Sequence, residues 1–446
     1  MYRRTNTLLA FLLFLIGSVF AERVDMKQLG ADSMGKNAKT NTELINNTID
    51  RLSSAGGGTL YFPAGIYLTA SIHMKSNITL ELEAGATLKF TDDFDSYLPY
   101  VEMRYEGVMM NSFKPLIYAL DAENITIKGE GTLDGQGKAW WMEFFRVIVD
   151  MKDNGIRTIN KYQTLFEQAN NMEALRTETN EDWHNTLDRR FHRPPFIQPL
   201  RCKNVRIEGV TIINSPFWTV NPQFCDNVTV HNVTINNPPS PNTDGINPES
   251  CRNVHISNCH ISVGDDCITI KSGRDLQARR IGVPCENITI TNCTMLNGHG
   301  GVVIGSEMSG GVKRVTISNC VFDGTDRGIR LKSTRGRGGV VENLVVSNVV
   351  MYNIQKEAIV FNLKYSKMPL EPKSERTPEF RNIFVSGVMA NNVHTPLKFI
   401  GLEEAPIDGL RLSDIYVSGA KDECVFQDCI NLKLNNVIVN GEEISR

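Results

Sequence analysis

Three aspartates stand where crowded carboxylates could divide acid and base work between them. Asp244 lies in Asn242-Thr243-Asp244-Gly245, and Asp265 and Asp266 are adjacent in Gly264-Asp265-Asp266-Cys267. His299 follows in Gly298-His299-Gly300, and Arg330 and Lys332 flank Leu331. Neighbouring carboxylates cannot all ionise easily, so their proton affinities are driven apart. Cleavage of a glycosidic bond needs that division, with a protonated carboxyl for the departing oxygen and an ionised one for the water or the sugar. A nearby imidazole can tune the acid. A guanidinium and an ammonium can together grip an acidic sugar through charge-assisted hydrogen bonds. Each motif alone has a plainer reading: Asp-Asp in a loop is usually turn chemistry, and a charged pair is usually a solvated face. Their joint placement is what gives them weight.

A repeat supplies that placement. Asn, an apolar residue, any residue and a second apolar residue recur as Asn204-Val205-Arg206-Ile207, Asn227-Val228-Thr229-Val230, Asn253-Val254-His255-Ile256 and Asn287-Ile288-Thr289-Ile290. The pattern continues from Arg314, Asn343, Asn382, Gly409 and Asn431, with earlier copies at Asn77 and Asn124. From Asn204 onward the spacings are 23, 26, 34, 27, 29, 39, 27 and 22 residues, the range of stacked supersecondary units. Each unit alternates with period two and is rich in Val, Ile and Thr, so the units are strands. No helical half appears, as a leucine-rich repeat would require, and a propeller blade would need longer units with hairpin turns. The fold class expected is therefore all-β, a parallel β-helix running from about Asn77 to Val439. Measured from their anchors, Asp244 lies 17 residues on, Asp266 13, His299 12 and Arg330 16. Similar offsets put the four motifs on one stripe of one face. Because successive strand residues point to opposite faces, Asp265 and Asp266 can both serve a cleft only if a bend or bulge lies between them.

The cysteines follow the same period. Cys202, Cys225, Cys251, Cys285 and Cys429 lie two residues before their anchors, and Cys259, Cys293 and Cys320 lie six after. Columns of this kind are small buried thiols, which makes disulfides the weaker expectation even in an exported chain. The sequons at Asn77, Asn124, Asn227 and Asn287 read as ladder residues in the same way. A solenoid end must be capped, and Leu44, Ile45, Thr48, Ile49 and Leu52 share one helical face just before Gly56-Gly57-Gly58. The 80 residues between Asn124 and Asn204 should hold another coil near Thr132-Leu133-Asp134-Gly135. They should also hold a helical insertion from about Trp141 to Asp188, with Phe144, Phe145, Ile148 and Met151 at helical spacing.

Tyr2-Arg3-Arg4, the apolar run Leu8–Phe20, and Val19 and Ala21 at small-residue positions read as a signal peptide over residues 1–21. The run is too short for a comfortable membrane span, so an exported, periplasmic or extracellular chain without a span is expected. A single domain of 446 − 21 = 425 residues remains, and the formal charge of −3 falls to −5 without Arg3 and Arg4. A slightly acidic chain has no global pull on nucleic acid or acidic lipid, so an anionic ligand would need local positive charge.

Taken together, Asn242-Thr243-Asp244, Asp265-Asp266, Gly298-His299-Gly300 and Arg330-Leu331-Lys332 resemble the motif quartet of glycoside hydrolase family 28, the polygalacturonases. The likeness extends to Gly56-Gly57-Gly58-Thr59-Leu60-Tyr61-Phe62-Pro63-Ala64-Gly65. Leu331 departs from the usual Ile. The resemblance implies a right-handed parallel β-helix that acts by inversion on galacturonides, without a metal or other cofactor. It implies Asp265 as general acid, Asp244 and Asp266 activating water, His299 supporting the acid, and Asn242, Arg330 and Lys332 binding substrate. Gly305-Ser306-Glu307-Met308-Ser309-Gly310-Gly311 and Arg335-Gly336-Arg337-Gly338-Gly339 look like bacterial exo-acting members, which release single galacturonate units from the non-reducing end. A monomer acting on a pectic oligo- or polysaccharide is expected. The competing readings are an exo-galacturonidase for rhamnogalacturonan, a calcium-dependent pectate lyase on the same architecture, and a β-helix adhesin that only binds.

Overall fold

A computed structural model describes residues 22–154, 161–180, 184, 187, 191–365 and 371–445. The N-terminal stretch read as a signal peptide lies outside them. The chain winds as a right-handed parallel β-helix, each coil contributing up to three strands to three long faces. On the first face Ile125, Val205, Val228, Val254, Ile288, Val315, Leu344, Ile383 and Leu410 stand in register. All of them are buried, which is the period-two pattern expressed as one column of the core.

The repeated asparagine does a particular job at this corner. Asn77, Asn124, Asn204, Asn227, Asn253 and Asn287 all have φ between 55° and 64°, a conformation that Asn tolerates better than most residues. Their side chains also bond between coils. Asn124 Nδ2 donates to Asn77 Oδ1 (2.7 Å), Asn204 to Asn124 (2.8 Å), Asn227 to Asn204 (2.8 Å) and Asn287 to Asn253 (2.9 Å). The sequon asparagines Asn77, Asn124, Asn227 and Asn287 are thus ladder residues. Cys202, Cys225, Cys251, Cys259, Cys285, Cys293 and Cys320 are buried thiols, while Cys429, near the C-terminal end, is half-buried.

The solenoid begins earlier than the sequence motif does. Glu22–Asp25 pairs in parallel with Gly58–Phe62, which pairs with Ile78–Leu82. The first two of these strands lack the Asn anchor, so the repeat is silent there. The capping helix, Ala38–Ser54, buries Ile45, Ile49 and Leu52 against the first coil.

Thr132–Asp134 is not a further coil; it is the second leg of the coil begun at Glu123–Gly129, pairing with Thr87–Lys89 and Thr211–Ile213. The helices Lys138–Asn154, Lys161–Ala169 and Met172–Thr177 then leave the solenoid before it resumes at Ile197–Leu200. Phe144 is buried and Ile148 partly so, but Phe145 is 47% exposed. One coil earlier, the hairpin Val101–Tyr105 and Val108–Ser112 leaves at the same corner. The hairpin and the insertion share a satellite core of Met103, Tyr105, Val108, Met110, Phe166, Leu175, Phe217 and Trp218. No helix among the described residues is long and apolar enough to cross a membrane.

Candidate active site

The third face carries the site. Its strands Asp266–Ile270, Gly300–Gly305 and Ile329–Lys332 pair in parallel, with Ile268 opposite Val302 and Val302 opposite Ile329. Ile246 bridges to Ile268, which sets Asp244 level with Asp266. Asp265 sits at a bend just before its strand, so it escapes strict alternation. Its side chain is 19% exposed, whereas Asp244 and Asp266 are 3% and 1% exposed. Oxygens of the three carboxylates lie within 4.8 Å of one another.

Three cations surround this trio. Lys332 Nζ donates to Asp266 Oδ2 (2.8 Å), and Arg330 Nη1 is 3.5 Å from Asp266 Oδ1. Lys271 Nζ lies 3.7 Å from Asp244 Oδ2, which also accepts from Asn247 Nδ2 at 3.0 Å. Burial opposes charge on Asp266, but Lys332, Arg330 and Lys271 outweigh it and hold that carboxyl below the usual range. Burial first, then the charges of Asp265 and Asp266, pushes Asp244 well above it, and Lys271 only partly offsets them. The surroundings thereby drive the proton affinities of Asp244 and Asp266 in opposite directions. His299 Nδ1 is 3.1 Å from Asp265 Oδ1, and that contact raises the imidazole above its ordinary value. Three clustered carboxylates could in principle hold a cation. Here Lys271, Arg330 and Lys332 already supply the compensating charge, so a divalent ion would enter against them.

The cleft has a volume of about 510 Å³, within the range of small-molecule sites, and its ends differ. At one end stand His299, Asp326, Arg327 and Lys356, with His299 and Lys356 about half exposed. At the other, Glu307 accepts from Lys271 Nζ (2.9 Å), Arg274 Nη2 (3.2 Å) and Ser306 Oγ (3.0 Å). The hairpin tip Glu106–Gly107 closes over this end, Gly107 O accepting from Arg274 N at 3.0 Å. A Cβ on Gly107 would come within 2.9 Å of Arg274 and 3.1 Å of Glu307; with φ at 87°, glycine alone permits this approach.

Residues 179–439 match the model of glycosyl hydrolases family 28. The chain belongs to that family. It is a glycosidase on a solenoid scaffold, and its relatives span both modes of attack. It is similar to the crystal structure of a hyperthermoactive exopolygalacturonase from Thermotoga maritima, at 36% identity and a TM-score of 0.83 over 95% of this chain and 93% of that one. It is 28% identical to an exo-poly-alpha-D-galacturonosidase of Dickeya chrysanthemi over 77% of this chain and 57% of that protein. It is 29% identical to an endo-polygalacturonase of Pectobacterium carotovorum subsp. carotovorum over 74% of each.

In this family 28 chain the seven residues singled out from sequence all line one cleft, but not all in the expected way. Asn242 accepts from Arg193 Nη2 at 2.7 Å, which fixes its loop. Arg330 pairs in register with Val303, three residues beyond Gly300, and is not level with His299. Coil offsets blur such shifts because turns differ in length. Arg330 and Lys332 both reach back to Asp266 and are not solvated charges. Lys271 escaped notice, although Ile268-Thr269-Ile270-Lys271 and Ile329-Arg330-Leu331-Lys332 share one pattern two coils apart. Between them Gly305 carries no side chain, and a Cβ there would meet Lys332 O at 2.3 Å. Trp218, 4.3 Å beneath Lys271 Nζ, and Tyr365, 5.5 Å from both Arg330 and Lys332, carried no repeat signal at all.

Proposed function

We propose that this glycosidase hydrolyses α-linked galacturonate in pectic chains with inversion, taking single residues from the non-reducing end. The observation that carries the reading is a carboxylate trio set between one walled and one open end of the same cleft. Asp265, the most exposed of the three and in contact with His299, donates a proton to the departing oxygen. Asp266, held ionised by Lys332, and Asp244 orient the attacking water and take up its proton. The cationic rank of Lys271, Arg330 and Lys332 meets the uronate carboxylate, and Tyr365 offers a ring face to the sugar. The half-exposed end at His299 and Lys356 lets the rest of the chain leave. The protein acts after export, as a monomer.

Digestion of a galacturonate hexamer labelled at its reducing end tests this. Unlabelled monomer with a labelled pentamer appearing first is the expected pattern. A spread of labelled dimers and trimers would make the enzyme endo-acting, and turnover of rhamnogalacturonan alone would move the activity to that substrate.

A further inference from the structure

Glu307 is not needed to ionise or neutralise the carboxylate trio, yet it lies on the cleft wall and keeps its charge. Lys271, Arg274 and Arg337 hold it well below the usual carboxylate range despite burial. Three donors reach its two oxygens, while an ionised carboxylate offers about four acceptor positions. It is 8% exposed, and that exposure faces the cleft. Lys271 bridges Asp244 and Glu307, so only one ammonium separates the reacting end of the cleft from this acceptor.

From this placement, and resting on the hydrolase reading above, we infer that Glu307 reads the C4 hydroxyl of the terminal galacturonate. In a pyranose ring C4 stands across from C1. With C1 at the aspartate trio, O4 faces the wall formed by Glu307, Arg274 and the hairpin tip. An interior residue carries the next sugar on O4 and cannot meet that wall. A chain end made by hydrolysis keeps its O4–H and can donate to Glu307. A chain end made by β-elimination has a C4=C5 double bond and no hydroxyl there, which leaves the cleft-facing acceptor position of this buried carboxylate unfilled. The reaction that supplies substrate to this enzyme is therefore a hydrolytic cut, and eliminative ends are refused.

Binding to the Asp265→Asn protein, measured by calorimetry, separates this inference from the hydrolase reading. The probes are three trimers: the ordinary galacturonate trimer, one with a 4-deoxy terminal residue, and one with an eliminative unsaturated end. The ordinary trimer should bind on the order of ten- to a hundredfold more tightly than the other two. Adding Glu307→Ala, with folding checked by circular dichroism, should bring it down to their level while theirs stays within about twofold. Equal binding of all three by Asp265→Asn would overturn the inference, as would a parallel loss for all three on adding Glu307→Ala, the result expected of a purely structural residue. Hydrolysis itself is judged separately, by reducing-sugar release from wild type.

Discussion

Asp265 and Asp266 are neighbours in the chain with opposite surroundings, and the proposed chemistry turns on that difference. Replacing Asp265 by Asn should lower kcat by about two orders of magnitude or more while trimer affinity largely survives; unchanged turnover in that variant would remove it as the acid. Asp244 can take a proton from water only when ionised, and its proton affinity is raised, so the rate should fall as pH drops through that raised value. Lys271→Met removes the nearest cation and should move that acidic limb to higher pH, read from a kcat–pH profile. An unmoved limb would show that another group sets it. For stability the signs differ between groups. Asp266, depressed in the fold, contributes stability above its unfolded value that is lost as pH falls through the lower folded one. The His299–Asp265 contact is fully present below about 6.5 and fades as pH rises through the raised imidazole value. Activity should persist in a chelator; its loss would mean that the carboxylate trio works through a cation. At this scale the sequence was informative about types: the quartet was visible because acids, imidazole and cations recur at related offsets. Pairing was not visible, because whether Lys332 meets substrate or Asp266 depends on register and side-chain reach.

At the scale of elements, the hairpin over the cleft stands on one buried guanidinium. Arg104 is 1% exposed; its Nε donates to Gly107 O at 3.1 Å and lies 3.5 Å from Glu249 Oε1, and its Nη1 donates to Ser250 Oγ at 2.8 Å. Gly273 leaves the space that this side chain fills, since a Cβ there would fall 1.5 Å from Arg104 Nη2. Arg104→Met removes the cationic partner of buried Glu249, leaving Gln223 Nε2 donating to it at 3.0 Å, and should cost about 3–5 kcal/mol in denaturant unfolding. A loss under about 1 kcal/mol would show that the hairpin is held by its satellite core alone. The strands were legible because Val, Ile and Thr alternate behind a fixed Asn, and the ladder shows why it is Asn: φ near 57° and a side chain that bonds to the next coil. The hairpin was not legible. Tyr100 to Phe113 has no anchor residue, and its partners Arg274 and Glu307 lie more than 160 positions away.

For the whole molecule, the solenoid explains how motifs spread from Asn242 to Lys332 form a single site. Parallel register turns sequence distance into strand spacings of roughly 4.8 Å, so residues in successive coils become neighbours without a dedicated loop. The two excursions leave from one corner of consecutive coils, and the hairpin, packed against the insertion, closes one end of the cleft. The most direct test of inverting hydrolysis at the carboxylate trio is the anomer first formed. Proton NMR during digestion of an α-linked galacturonate trimer should show the newly released sugar appearing as the β anomer, with the α signal growing only as mutarotation proceeds. A burst of α anomer, or a product with a vinylic proton, would contradict the account.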